Sequence, residues 1–109
     1  MQLIKSIVRP DKVDEVKDAL SKLHVSGMTV TEVRGHGQQK GHTAVYRGKE
    51  YNVSLLPKML IETVVPDDVV DQVVHAIIQA ARTGQIGDGR VFVTPVAQSL
   101  KIRTGERDV

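Results

Sequence analysis

Three short clusters in this sequence carry the side chains and spacing of an anion site: Gly35-His36-Gly37, Gly87-Asp88-Gly89-Arg90 and Lys101-Ile102-Arg103. Glycines let a backbone approach a ligand closely, and successive N–H groups in a glycine turn form a concavity that receives anions. Arg90 adds a charge-assisted donor of the kind that grips phosphate. Lys101 and Arg103, two residues apart, put two cations on one face of a strand. Singly, each cluster has a plainer reading. Gly35-x-Gly37 lacks the third glycine and the helix of a dinucleotide fingerprint. The Gly87–Arg90 cluster alone is a helix-to-strand connection, and the Lys101–Arg103 pair alone is a solvated tail. Together they reinforce one another, because a polyphosphate needs several donors converging on it. His24, His36, His42 and His75 show no ligand spacing and read as surface or loop residues. No visible pattern assembles a nucleophile with a base, so no catalytic residue is assigned.

The elements that must position these clusters follow from hydrophobic period. Gln2–Arg9 alternates, with Ile4 and Val8 on one face and Leu3 and Ile7 on the other, and a strand apolar on both faces is a central one. Pro10-Asp11 opens a helix, with Asp14 three residues after Asp11 in a capping arrangement. Its buried stripe is Val13, Val16, Leu20 and Leu23, and Gly27 reverses the chain after it. Met28–Arg34 is a second strand and Met59–Val65 a third. Pro66-Asp67-Asp68 starts a second helix whose buried face is Val69, Val70, Val73, Ile77, Ala80 and Ala81, with Gly84 at its end. Its β-branched density favours a strand, but length and capping favour a helix. Arg90–Val96 is the last strand.

The order β-α-β-loop-β-α-β is the split βαβ, ferredoxin-like α+β pattern. Two helices cover one face of a four-stranded sheet, and no helix is left for the face that alternation assigns to Leu3, Ile7 and Met28. An uncovered apolar face implies self-association.

Between the second and third strands lies Gly35–Lys58, which contains Lys40, Tyr46, Arg47, Lys49, Tyr51 and Lys58 and no sustained apolar period. It reads as one long loop, and loops of that length inside a compact domain are functional or disordered. Residues 38–54 have few apolar side chains to dock, so mobility is expected there. The whole chain, 1–109, reads as one domain, with the loop at about 37–55 and a mobile tail at about 104–109.

A net charge of +2 is too mild for nucleic acid, and two Tyr, one Phe and no Trp are too few for a base-stacking platform. The absence of cysteine removes disulfides and thiolate metal sites. No apolar run reaches the roughly 18 residues of a membrane span, and the first residues begin a strand pattern, so a soluble, cytoplasmic protein is expected.

Taken together, these residues resemble the PII nitrogen-regulatory signal-transduction proteins over nearly the whole chain. QKGHTAVYRGKEY (39–51) is similar to the family's T-loop, with YRGKEY (Tyr46–Tyr51) at its tip. The run Thr83–Val93 and the ending Ile102–Glu106 match two further family segments. The resemblance implies a non-catalytic, cytoplasmic homotrimer with ATP and ADP competing for clefts between subunits. Ile7, Thr29, Gly35, Glu62 and Val64 match the positions around base and ribose. Gly37, Gly87, Gly89, Arg90, Lys101 and Arg103 match those around the phosphates, and Asp88 belongs to the same nucleotide-binding set. The resemblance also implies 2-oxoglutarate bound beside Mg-ATP. In that arrangement Gln39 ligates Mg²⁺, the Gln39-Lys40-Gly41 backbone surrounds the ligand, and Lys58 meets its distal carboxylate.

Tyr46, Arg47 and Lys49 match the loop tip that contacts targets, and Tyr51 the family's nucleotidylation site. The implied partners are an ammonium transporter, which would hold the protein peripherally at the membrane, nitrogen-assimilation enzymes, and a nucleotidyltransferase. Three residues depart from the family pattern. Gln38 replaces an arginine that reaches toward phosphate. Lys101 replaces an arginine and loses its bidentate fork. Lys49 replaces a small residue or serine. Gln38 and Lys49 leave room for an alternative, a PII-like sensor of adenine nucleotide with a different metabolite in carbon metabolism, while Gln39 and Lys58 count against it.

Overall fold

The computed structural model describes residues 1–36, 43–46, 49–52 and 55–109, the two short middle segments through their backbone only. Its elements in chain order are β1 (Gln2–Val8), α1 (Val13–Lys22), β2 (Thr29–Gly35), β3 (Thr43–Tyr46), β4 (Lys49–Asn52), β5 (Leu56–Val65), α2 (Val70–Ala81) and β6 (Gly89–Pro95). Four strands form an antiparallel sheet in the order β2-β5-β1-β6, with both helices on one face. This is the ferredoxin-like α+β arrangement expected, with β1 inside the sheet as its two apolar faces require.

Alternation fixes which side chains meet the helices. On β1, Ile4, Ser6 and Val8 are buried; on β5, Ile61, Thr63 and Val65 are. From the helices come Val16 and Leu20, then Val73, Ile77 and Ala81, so both predicted stripes face the core. Each large side chain buried here contributes roughly 1.5–3 kcal/mol through removal from water. The opposite face carries Leu3 and Ile7 half-buried and Val64 and Phe92 exposed. Met28 is not on that face. It precedes β2 in the phase of Val30, which pairs with the core-facing Ile61, and it packs against the core cluster.

Both helices begin differently from the expected capping. Each is preceded by a single 3-10 turn, Pro10–Lys12 and Asp67–Val69, and neither start has a side-chain capping bond. Proline fixes the first dihedral of the turn and needs no donor partner, so the turn replaces the cap.

The reversal after α1 is made by His24, not Gly27. His24 has φ 61°, and its N–H donates to the Ser21 carbonyl at 3.0 Å while Val25 N–H reaches Leu20 O at 3.0 Å. These paired bonds form a Schellman closure, with Val25 packed back on the core. An exposed L-residue held left-handed is strained. His24→Gly is therefore expected to stabilise the protein by roughly 0.5–1 kcal/mol, after the greater freedom of unfolded glycine is subtracted. A urea midpoint that fails to rise would mean the imidazole makes a compensating contact.

The long loop is not wholly irregular. Thr43–Tyr46 pairs antiparallel with Lys49–Asn52, with Tyr46 opposite Lys49 and two residues between them. Four-residue strands are too short to show a period, although Thr43, Val45, Tyr46 and Tyr51 favour strand and a two-residue link suits a hairpin. The rest of the segment expected to be mobile lies outside the described residues.

The end of the chain forms a hydrogen-bonded turn where a mobile tail is expected. Lys101 N–H donates to Glu106 O at 2.8 Å, Gly105 N–H to Lys101 O at 2.7 Å, and Asp108 N–H to Ser99 O at 2.9 Å. Lys101 and Arg103 accordingly lie at a turn and not on one strand face, because Gly105, with φ 73°, folds the segment back on itself.

Candidate anion-binding cleft

A cleft of about 370 Å³ opens where the ends of β1, β2 and β5 meet the connection from α2 to β6. Ile7, Gly35, Lys58, Gly87, Asp88, Gly89 and Arg90 all line it, so seven of the expected site residues come together. Strand register explains this. Ile7 pairs with Arg90 across β1 and β6, and Gly35 pairs with Leu56 at the end of β2 nearest Lys58.

The 83–89 connection is shaped by one carboxylate. Asp88 Oδ2 accepts from Thr83 N–H at 2.9 Å and Gly84 N–H at 2.8 Å. Asp88 Oδ1 accepts from Arg9 Nε at 3.0 Å and from the Thr83 hydroxyl. Arg9 also donates through Nη2 to Ile86 O at 3.1 Å. These donors favour the ionised form, with the Thr83 hydroxyl contributing most, and hold the Asp88 carboxyl far below the usual carboxylate range. A depressed carboxyl pKa stabilises the fold at every pH above its unfolded value and loses that contribution only in strong acid. Asp88 thus braces the loop from within, and its charge is matched before any ligand arrives.

With the loop braced, its backbone is free to receive an anion. Among the described residues, the N–H groups of Ile86, Gly87 and Asp88 have no backbone or side-chain acceptor. Three consecutive donors in a turn where Gly87 has φ 101° have the chemistry of a phosphate nest. Arg90 stands beside them with its side chain exposed. Ile7 and Phe92 supply an apolar wall.

Lys58 is buried, and its ammonium donates to Gly87 O at 2.5 Å. Burial lowers its pKa below the ordinary lysine value, and the nearby Arg9 charge lowers it further against the opposing pull of Asp88. A cation held this way favours an anionic ligand that would restore its lost solvation.

The remaining expected residues fall elsewhere. Thr29, Glu62 and Val64 line a second depression, with Leu3, Gly27, Met28 and Thr63, at the far end of the same open face. Thr29 and Gly35 are separated along β2 by roughly 20 Å at strand rise. Lys101 and Arg103 line neither hollow. Gly37, Gln38, Gln39, Lys40, Gly41 and Arg47 lie outside the described residues, and Tyr46, Lys49 and Tyr51 are described through their backbone alone. Among the described residues no group of three His, Cys, Asp or Glu could hold a metal ion.

Reasoning from the sequence missed three contributors. Arg9 and Thr83 brace Asp88, and His36 lines the cleft. Arg9 and Asp88 are 79 positions apart, so no local pattern links them. His36 was visible between two glycines of an anion cluster, a better signal than the ligand spacing it lacks.

Comparison with known proteins shows the family. The family model described as nitrogen regulatory protein P-II matches residues 1–106. The chain is 56% identical over 108 residues to nitrogen regulatory protein P-II 1 of Escherichia coli K12, covering 99% of this chain and 96% of that one. It is 54% identical over the same span, with the same coverage, to nitrogen regulatory protein P-II of Haemophilus influenzae. The P-II protein of Klebsiella oxytoca is 56% identical over 108 residues, with 99% and 96% of the two chains covered. A match across 1–106 takes in β1 through β6, the braced 83–89 loop and the C-terminal turn. The chain belongs to the nitrogen regulatory P-II family, whose members are regulatory signalling proteins and not enzymes.

Proposed function

We propose that this protein senses ATP against ADP, senses 2-oxoglutarate beside Mg-ATP, and passes both signals to nitrogen-metabolism targets through the segment between β2 and β5. The observation that carries the reading is the division of the expected nucleotide residues into two hollows on one open sheet face. Ile7, Gly35 and Gly87–Arg90 form one; Thr29, Glu62 and Val64 form the other. Neither hollow alone supplies both the phosphate donors and the remaining base and ribose positions. A head-to-tail ring, in which one copy's cleft faces its neighbour's second hollow, completes the site at each interface and covers the exposed Val64 and Phe92. Three copies close that ring in this reading, and Lys101 and Arg103 reach the phosphates from the C-terminal turn.

Coupling to targets follows from linkage. A ligand shifts the β2–β5 segment only by its differential affinity for that segment's states. Gly35 and Lys58 line the cleft and sit at the two roots of the segment, so a ligand there acts directly on both. Tyr46, Arg47 and Lys49 would meet the target: an ammonium transporter, a nitrogen-assimilation enzyme, or a nucleotidyltransferase acting on Tyr51. A transporter partner would place the protein peripherally at a membrane; among the described residues no helix is long and apolar enough to cross one.

Two measurements test the reading together. Light scattering should give a mass of three chains, and calorimetry should show ATP and ADP competing for one class of site per chain. Arg103→Ala should weaken ATP by roughly 1.5–3 kcal/mol, the range for a hydrogen bond to a charged group. A monomer at micromolar concentration, or unchanged affinity in the variant, would overturn the intersubunit site.

A further inference from the structure

The charged side chains of the cleft are not equally available to a ligand. Arg9 is occupied with Asp88 and the Ile86 carbonyl, and Lys58 with the Gly87 carbonyl. Asp88 is saturated by its own donors. Two side chains that can carry positive charge remain among the described lining residues, Arg90 and His36, and both are exposed.

His36 directly follows β2, on the rim of the cleft whose wall also includes the Gly87 N–H nest. Imidazole is the side chain whose charge changes between pH 5 and 8. We propose that His36 is an anion-binding residue of this cleft and makes phosphate affinity proton-linked, so that the protein binds nucleotide more tightly as pH falls toward 6. The proposal rests on the cleft being the nucleotide-phosphate site. The physical basis is the difference between a neutral and a charge-assisted hydrogen bond to phosphate, which is large enough to read.

Among the described residues, the charged groups lining the cleft with His36 are Lys58 from β5 and Asp88 and Arg90 from the connection to β6 and its first residues, and Arg9, just past β1, is bonded to Asp88. Asp88 is held ionised, its carboxyl far below this range. Arg34 is the charged neighbour on β2 itself. His42 is the other histidine near in sequence and lies outside the described residues. It is present in every protein compared below, so its contribution cancels, as does protonation of the nucleotide's own phosphates.

The test compares the natural chain with His36→Gln and His36→Arg by calorimetric titration of Mg-ATP and Mg-ADP from pH 6 to pH 8. The glutamine keeps a polar neutral side chain, and the arginine keeps a positive one at every pH. Relative to the glutamine variant, the natural protein should gain about tenfold in affinity from pH 8 to pH 6. Its affinity should match the glutamine variant at pH 8 and approach the arginine variant at pH 6. As a readout independent of affinity, the His36 imidazole resonance should titrate at higher pH with nucleotide bound than without, as linkage demands. Equal pH slopes in all three proteins, with binding intact, would overturn the role of His36 and leave the nucleotide reading standing. No binding by any of the three would overturn the nucleotide reading and this proposal with it.

Discussion

Gly89→Ala is expected to destabilise the fold by on the order of 3–5 kcal/mol, the range of severe backbone strain and overpacking. A Cβ at this position would lie 1.7 Å from the Ile7 carbonyl oxygen and 2.8 Å from its carbonyl carbon. Both atoms belong to the backbone of β1, which is fixed between β5 and β6 and cannot give way. Gly89 also has φ 109°, a conformation that L-residues rarely adopt. The clash would push the start of β6 off Val8, its partner in the ladder, and carry Arg90 away from Ile7. Loss of stability and loss of anion affinity should therefore appear together.

Gly84→Ala is the internal control. Gly84 has φ 90°, but a Cβ there would meet nothing within 4 Å, and its N–H bond to Asp88 survives the substitution. Only the conformational cost applies, roughly 1–2 kcal/mol. Urea denaturation of the two variants measures the difference. Equal costs would mean that β1 and β6 approach each other less closely than the register requires.

The second large effect is all-or-none. 2-Oxoglutarate is expected to bind in the presence of Mg-ATP and essentially not at all with ADP or without magnesium. The ligand has a distal carboxylate, suited to an ammonium, and a 2-oxo acid end, suited to a hard cation. Lys58 fits the first requirement: it is buried, and its ammonium can exchange the Gly87 carbonyl for a carboxylate. The second has no protein cage among the described residues. Gln39 offers one neutral oxygen, and Mg²⁺ keeps its waters unless phosphates or carboxylates replace them. The cation would then be held largely by ATP phosphates, which is why one ligand is expected to be conditional on the other.

Lys58→Ala and Gln39→Ala should each abolish 2-oxoglutarate binding while leaving much of the ATP affinity. The pH dependence follows from the lowered Lys58 pKa. A lysine partly desolvated in the free protein loses its proton at lower pH than an exposed one, so 2-oxoglutarate affinity should fall at correspondingly lower alkaline pH. Calorimetry at saturating Mg-ATP decides the matter. Failure of 2-oxoglutarate to bind there would favour a sensor of adenine nucleotide with another metabolite, such as one of carbon metabolism.

The sequence by itself determined the layers of this protein. Ile4 and Val8 against Leu3 and Ile7, and the stripes through Leu20 and Ile77, are periodic signals. Period alone assigns a side chain to a face, because strand and helix geometry repeat it every two or 3.6 residues. The glycine clusters were legible as well, since glycine at a turn has few other uses. Tertiary structure decided what period cannot express. Arg9 reaches Asp88 only after β1 and β6 pair, and joins the local Thr83 bonds in bracing the loop from within. Gly89 is required by a carbonyl more than eighty positions earlier in the chain, not by its own turn. His24 makes the left-handed reversal that a nearby glycine was expected to make, because the Leu20 and Ser21 carbonyls fix where the helix closes. The division of the expected nucleotide residues between two hollows is likewise a product of strand order. Thr29 and Gly35 share one strand and one face, yet lie at opposite ends of the sheet, and only packing assigns each end its neighbours.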